Sequence, residues 1–292
     1  MDKSHRQLLI HIGLFVITFI TTTLAGAEWM YSKMLLWVED DLLMSWSDFV
    51  GGMQFSIPFL LILTFHEFGH YFMARYHKVA VTLPYYIPLW LGFLLIPSFG
   101  TMGAMIRIKQ PILRLKHYFD IGIAGPLAGF VVAVMVIWFG FTHLPEPEYI
   151  FQIHPEYEQY GLDYADHVYE GEEMVTFKFG DNLLFWLMEN YVADPERIPH
   201  PNEIIHYPYI LAGYLALFFT ALNLLPIGQL DGGHILFGMV GAKWHQRVSK
   251  SIFIAFLFYA SLGWTTINDL QDGSLESSLD FLFVMAIHIY LL

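Results

Sequence analysis

Four stretches of this chain, residues 8–27, 51–76, 118–141 and 207–225, are apolar over about the length a helix needs to cross a bilayer. Two shorter apolar stretches follow, at 251–267 and 279–292. Hydrocarbon offers no water to satisfy backbone polar groups, so only helices and closed barrels span it. Barrel strands would show strict apolar–polar alternation in short segments, and these runs show none. The expectation is an all-α polytopic membrane protein with about six transmembrane helices. The last stretch, about 14 residues long, is shorter than a span usually requires. Composition agrees: 56% of the 292 residues are hydrophobic and 14% are charged, which excludes a disordered chain. A net charge of −13 speaks against nucleic acid as a partner. The LAGAE sequence at 24–28 has the small residues of a signal cleavage site. Its apolar segment outlasts a signal-peptide core, however, so 8–27 reads as a first span.

Ionisable groups inside such runs are costly, about 2.5–3.5 kcal/mol each at a helix centre. Residues 60–75, LLILTFHEFGHYFMAR, nevertheless hold His66, Glu67 and His70. The spacing is H-E-x-x-H. On a helix, positions i and i+4 share a face, so both imidazoles can serve one Zn²⁺. Glu67, next to the first histidine, is placed to take a proton from water at that ion. With no cysteine in the chain, any metal must be held by His, Asp or Glu.

Basic residues set the orientation. Lys3 and Arg6 precede the first run, Arg75 to Lys116 supply six between the second and third, and Lys243, Arg247 and Lys250 lie between the fourth and fifth. With six spans all of these fall on one side, which becomes cytoplasmic together with both termini. The polar residues after the first span include Trp29, Tyr31, Trp37 and Trp46, placed as an interfacial aromatic belt would be. Between the second and third spans, Pro84, Pro88 and Pro97 break an apolar segment that reads as interfacial or re-entrant. Residues 99–109 within it mix glycine with alternating side chains, a β-hairpin-like pattern. In the third span Gly125 and Gly129 form G-x-x-x-G, read as a helix-packing surface with no chemical part. Residues 145–206 form an acidic insertion on the outer side, read as a solvated loop with some helix near 182–191.

A catalytic zinc normally has three protein ligands and an open position. The fourth span ends in NLLPIGQLDGGHI, on the same side as the His66–His70 end of the second. Asp231, on backbone broken by Pro226 and neighbouring glycines, is the preferred third ligand, with His234 as competitor. His11, His143, His154, His167, His200, His206, His245 and His288 sit apart from any such grouping in the sequence.

HEFGH in one span, GPLAG in the next, NLLPIGQLDGG in the one after and FGTMGAMIRIK between them resemble the site-2 protease family of intramembrane zinc metalloproteases. The likeness covers about residues 51–241, and the FGTMGAMIRIK stretch resembles the hairpin-forming segment of the family, particularly of its chloroplast and related bacterial branch. The resemblance implies one membrane-embedded protease domain over 1–292. It also implies one zinc per chain on His66, His70 and Asp231, Glu67 as general base, and Asn223 holding substrate backbone or the developing oxyanion. Substrates would be transmembrane proteins cut within the lipid bilayer, towards the cytoplasmic side. Gly228 and Gln229 stand where many members carry proline and a small residue, a departure that bears on linker shape. Two other readings keep the same residues: a catalytically idle scaffold, which would have no use for Glu67, and a metal transporter, which would show paired repeats.

Overall fold

The computed structural model describes residues 3–36, 43–169 and 182–262. Three of its helices or helix pairs are long and apolar enough to cross a membrane: His5–Tyr31, Trp46–Tyr76 and Leu115–Thr142. A fourth apolar helix, Pro208–Asn223, is shorter. In chain order the elements are α1 (Lys3–Tyr31), α2 (Trp46–Gly51), α3 (Met53–Tyr76), β1 (Tyr85–Pro88), β2 (Thr101–Met105) and α4 (Leu115–Thr142), then α5 (Tyr164–Val168), α6 (Leu183–Tyr191), α7 (Pro208–Asn223) and α8 (Asp231–Leu262). Against the expectation of about six spans, the described residues hold three candidates. The fifth stretch is described only as far as Leu262, within α8, and 279–292 lies outside the described residues. Packing divides the chain into two units, Met1–Ile112 with Ile123–Leu222, and Leu113–Gly122 with the residues from Asn223 onward.

In the first unit α1, α3, α4 and α7 share a core that includes Met30, Phe55, Phe59, Ala133, Val136 and Leu211. Small and hydroxyl residues let these helices approach closely. The Thr23 and Ser56 hydroxyls meet at 2.8 Å between α1 and α3, and a Cβ on Gly26 would lie 2.8 Å from the Gly52 carbonyl oxygen. The buried Thr22 and Thr23 hydroxyls bond to their own helix backbone, Thr22 Oγ1 donating to the Thr18 carbonyl at 2.6 Å and Thr23 Oγ1 to the Phe19 carbonyl at 2.7 Å. At the entry to α2, Ser45 and Asp48 form a capping box, and Lys33 pairs with Asp48 at 3.0 Å. The outer faces are apolar. Leu9, Ile12, Val16 and Ile20 form an exposed stripe on α1, and Leu127, Val131, Met135 and Trp138 form one on α4. Contiguous apolar stripes turned outward at helical spacing are the reverse of a water-facing helix and suit a lipid surround.

The segment after α3 lies along α1. His11 Nδ1 donates to the Pro84 carbonyl at 3.0 Å, Trp90 Nε1 to Glu28 Oε1 at 2.8 Å, Trp29 Nε1 to the Ser98 carbonyl at 2.8 Å, and Thr21 Oγ1 to the Gly100 carbonyl at 2.7 Å. From His11 to Trp29 is about 27 Å of helix at ~1.5 Å per residue. The chain therefore climbs most of α1 between residues 84 and 98 and has turned back by residue 100. Gly100 makes the return possible: its φ of +76° suits glycine, and any Cβ there would run into the α1 backbone at Thr21 and Thr22. The expected hairpin is half right. Residues 101–105 form a strand, but its antiparallel partner is Tyr85–Pro88, with Tyr85 opposite Met105 and Pro88 opposite Thr101. The prolines at 88 and 97 hid that partner, because proline normally argues against a strand. Trp29, expected in an aromatic belt, is instead stacked on Phe99 at 5.7 Å as well as bonded to Ser98; Trp46 is exposed, and Trp37 lies outside the described residues.

The insertion is packed, contrary to the solvated-loop expectation. Its 3₁₀ turns Pro147–Gln152, Pro155–Asp163 and Pro201–His206 bury Ile150, Tyr157 and Ile204, while α6, capped by Asn182, buries Phe185 and Met188. The aromatic and aliphatic residues responsible are scattered among acids, so no periodic pattern announces them. In the second unit, α8 lies against the first turns of α4: Tyr118 meets Phe237 edge-on at 4.7 Å, and a Cβ on Gly238 would lie 2.6 Å from the Phe119 nitrogen. Gly241, at φ +73°, kinks α8.

Replacing Thr21 by Val keeps the shape but removes one of the two donors to the Gly100 carbonyl, leaving the Leu89 N–H at 3.1 Å. Stability should fall by ~0.5–1.5 kcal/mol, against less than ~0.5 for Thr142→Val, whose exposed hydroxyl bonds only within its own turn and to the neighbouring His143. Equilibrium unfolding of the detergent-solubilised chain checks the difference.

Candidate metal centre

The α3 helix runs without interruption through the H-E-x-x-H sequence and buries all three of its ionisable residues: His66, Glu67 and His70 are 5%, 5% and 6% exposed. One turn of helix separates the histidines, and their Nε2 atoms stand 3.1 Å apart with the rings inclined at 72°. Two ligands held ~2.0–2.1 Å from a tetrahedral zinc are roughly 3.3 Å from each other. The pair therefore fits a shared ion in spacing, burial and donor chemistry.

What makes room for these imidazoles is α4. A side chain on Gly125 would overlap the His70 ring, and a Cβ on Gly129 would lie 3.0 Å from the His66 Cβ. On the other side of the contact, Gly69 of α3 faces the Ala124 carbonyl with no space for a methyl group. The G-x-x-x-G pair is indeed a packing surface, but what it packs against is the histidine pair itself. The sequence could not reveal this, because the motif states that a helix approaches and not which side chains it brings. Nearby, the Thr64 hydroxyl meets Tyr86 of β1 at 2.7 Å, so the ladder is tied to α3 half a turn before His66.

The remaining expected residues belong to the second unit. Asn223 ends α7 and Asp231 begins α8. Between them the chain turns tightly, with Gly228 at φ +53° and its N–H donating to Ser249 Oγ at 2.8 Å. Gly232 and Gly233 let the first turn of α8 sit against this linker: a Cβ on Gly233 would lie 3.0 Å from the Ile227 carbonyl oxygen, and one on Gly232 would strike the Leu224 carbonyl. The D-G-G sequence thus holds the Asp231 backbone in a defined turn despite the departures at Gly228 and Gln229. His234, the competing third ligand, stacks on Tyr118 at 6.0 Å.

A second grouping was missed. His154 and His206, expected to stand apart, converge with Glu203 inside the insertion. Burial holds the His206 imidazole down at about 4 and pushes the Glu203 carboxyl above its usual range, with the Tyr169 hydroxyl opposing the latter by donating to Glu203. Only E-x-x-H at 203–206 was visible in the sequence, and nothing in the sequence joins it to a histidine 52 residues earlier.

Comparison with known proteins agrees with the motif reading. A family model described as Peptidase family M50 matches residues 54–262. Among curated proteins, a probable zinc metalloprotease EGY1, chloroplastic, of Oryza sativa subsp. japonica is 30% identical over 65% of this chain and 30% of its own length. Its Arabidopsis thaliana counterpart is 29% identical over 62% of this chain and 28% of its own length. A probable zinc metalloprotease EGY2, chloroplastic, of Oryza sativa subsp. indica is 26% identical over 72% and 33%. The matched region spans about a third of the length of these relatives. No solved structure gives a significant match. A family match over most of the chain, centred on a buried H-E-x-x-H helix, places this protein in peptidase family M50, the site-2 protease family.

Proposed function

We propose that this chain is an intramembrane zinc metalloprotease that hydrolyses peptide bonds in or near transmembrane segments of membrane-anchored substrates, as in regulated intramembrane proteolysis. The observation that carries the reading is the buried His66–His70 pair, with Nε2 atoms 3.1 Å apart on a helix long and apolar enough to cross a membrane. A structural histidine pair has no need of Glu67 buried beside it. His66, His70 and Asp231 would hold one zinc at this centre. Zinc in a three-ligand site polarises a carbonyl and brings the pKa of water to ~7. Glu67 accepts the proton from the attacking water and passes it to the leaving amine. Asn223 donates its side-chain amide to the carbonyl oxygen as negative charge develops there. The basic residues on the connecting segments make the side carrying this centre cytoplasmic.

A helical substrate hides its carbonyls in hydrogen bonds, so the segment to be cut must unwind first. The β1–β2 ladder suits the unwound strand. A two-stranded ladder leaves each strand one side with no strand beside it, and β2 carries the exposed Met102 and Met105. Its hydrogen-bonded run along α1 favours a re-entrant over an interfacial course.

Glu67→Gln should lower cleavage of a reconstituted membrane substrate by about 10²–10⁴-fold while leaving bound zinc at the wild-type level. Unchanged cleavage, or loss of zinc, would refute the role. Asn223→Ala should cost about 10²–10³-fold in kcat with little change in KM; a change confined to KM would make Asn223 a binding group only. Proline placed singly at alternate positions through 101–105 should impair cleavage most where the N–H points away from β1. Proline variants that cut at the normal rate throughout would remove the clamp from the mechanism.

A further inference from the structure

The insertion between α4 and α7 contains a second set of metal ligands, remote in sequence from H-E-x-x-H. His154 precedes the 3₁₀ turn Pro155–Asp163, and Glu203 and His206 lie on the 3₁₀ turn Pro201–His206. With three residues per turn, positions 203 and 206 eclipse one another and present both side chains to the same side. The His206 Nε2 atom lies 3.3 Å from Glu203 Oε2 and 3.3 Å from His154 Nε2, and the three donor atoms all fall within 4.8 Å of one another. The two 3.3 Å separations are those that ligands ~2.0–2.2 Å from one tetrahedral ion would have.

The outward-facing nitrogens fix the chemistry of the inward-facing ones. His206 Nδ1 donates to the Met30 carbonyl at 2.8 Å, and His154 Nδ1 donates to Glu156 Oε1 at 3.0 Å. Each imidazole therefore carries its first proton on Nδ1 and turns a lone pair on Nε2 towards the other histidine and Glu203. Carbonyl and carboxylate acceptors behind Nδ1 are the usual supports of a metal-bound histidine. The second Glu203 oxygen accepts from the Tyr169 hydroxyl, so the carboxylate is oriented too. Glu203 and His206 are 2% and 1% exposed. Three acceptors meeting in a buried place require a cation among them, either a proton or a metal ion.

We propose that His154, Glu203 and His206 bind a second divalent transition-metal ion, of which Zn²⁺ is the best match, and that this ion staples the insertion to itself and to the end of α1. Two imidazoles and one carboxylate suit zinc or its late first-row neighbours, whereas calcium and magnesium call for oxygen alone. The ion closes a loop across 52 residues. Through the Met30 carbonyl it also fixes His206 to the C-terminal end of α1. The expectation of one zinc per chain becomes two.

The test is elemental analysis of the untagged full chain after equilibration with Zn²⁺ and removal of the excess. Thirteen methionines and no cysteine make sulfur an internal measure of protein. Wild type should carry about two zinc per chain, His66→Ala/His70→Ala one, His154→Gln one, and the triple variant none. A folded His66→Ala/His70→Ala chain without zinc overturns the proposal. So does a triple variant that keeps the double variant's zinc, which would then be an adventitious ion only. If wild type carries one zinc that depends on His66 and His70 alone, the protease reading stands and this one falls. If the single zinc depends on His154 alone, the reverse holds. Should His154→Gln fail to fold, Co²⁺ added to the His66→Ala/His70→Ala chain decides: visible d–d bands support the site, and their absence overturns it.

Discussion

Room for the His66 and His70 imidazoles depends on two missing side chains. Gly125 and Gly129 bring the α4 backbone so close to α3 that a methyl group at either position would press on a histidine, and Gly69 permits the same approach from the other side. The consequence reaches past packing. Rings confined between two helices lose most of their rotamer freedom before any ligand arrives, so little further ordering is needed to bring their Nε2 atoms to a common point. In hydrocarbon, where apolar surface no longer drives helices together, close contact through small residues is the main way to hold such a pair rigid. The buried hydroxyl contact of Thr23 with Ser56 uses the same device one helix further on.

Much of this was legible, and the limits have physical causes. H-E-x-x-H declares itself because both its spacing and its cost in an apolar run are local properties. Three of the expected spans were readable for the same reason. Gly125 and Gly129 were legible as a surface but not as a partner to the histidines, since a contact between helices is not written in either one alone. The 101–105 strand was seen, while its mate 85–88 was masked by prolines that a short edge strand tolerates. The insertion was misread most. Its acids suggest solvation, yet Ile150, Phe185 and Ile204 are buried, and 3₁₀ turns give hydrophobic residues no period long enough to recognise. The meeting of His154 with Glu203 and His206 follows from that packing and could not be known before it.

The two histidine groups show one motif used in different ways. On α3 the two histidines come from a single α-helical turn at i and i+4, so the helix alone sets their separation. In the insertion, Glu203 and His206 use the tighter 3₁₀ turn at i and i+3, and the third member arrives from elsewhere in the chain. A pair defined within one helix is preformed as soon as that helix exists. A site that joins two distant segments reports on whether the fold around it is complete.

The course of residues 84–100 along α1 changes what the first helix is for. The carbonyls of Pro84 and Ser98 accept from His11 and Trp29, and that of Gly100 accepts from Thr21 beside the Leu89 N–H. In lipid no solvent stands ready to replace those donors, and each orphaned carbonyl would cost several kcal/mol. The first helix is therefore a wall of polar handles on one face and a greasy outer surface on the other. For this irregular backbone a neighbouring helix does the work that water does elsewhere, and its Thr, Trp and His residues are as much part of that segment's folding as the segment's own sequence.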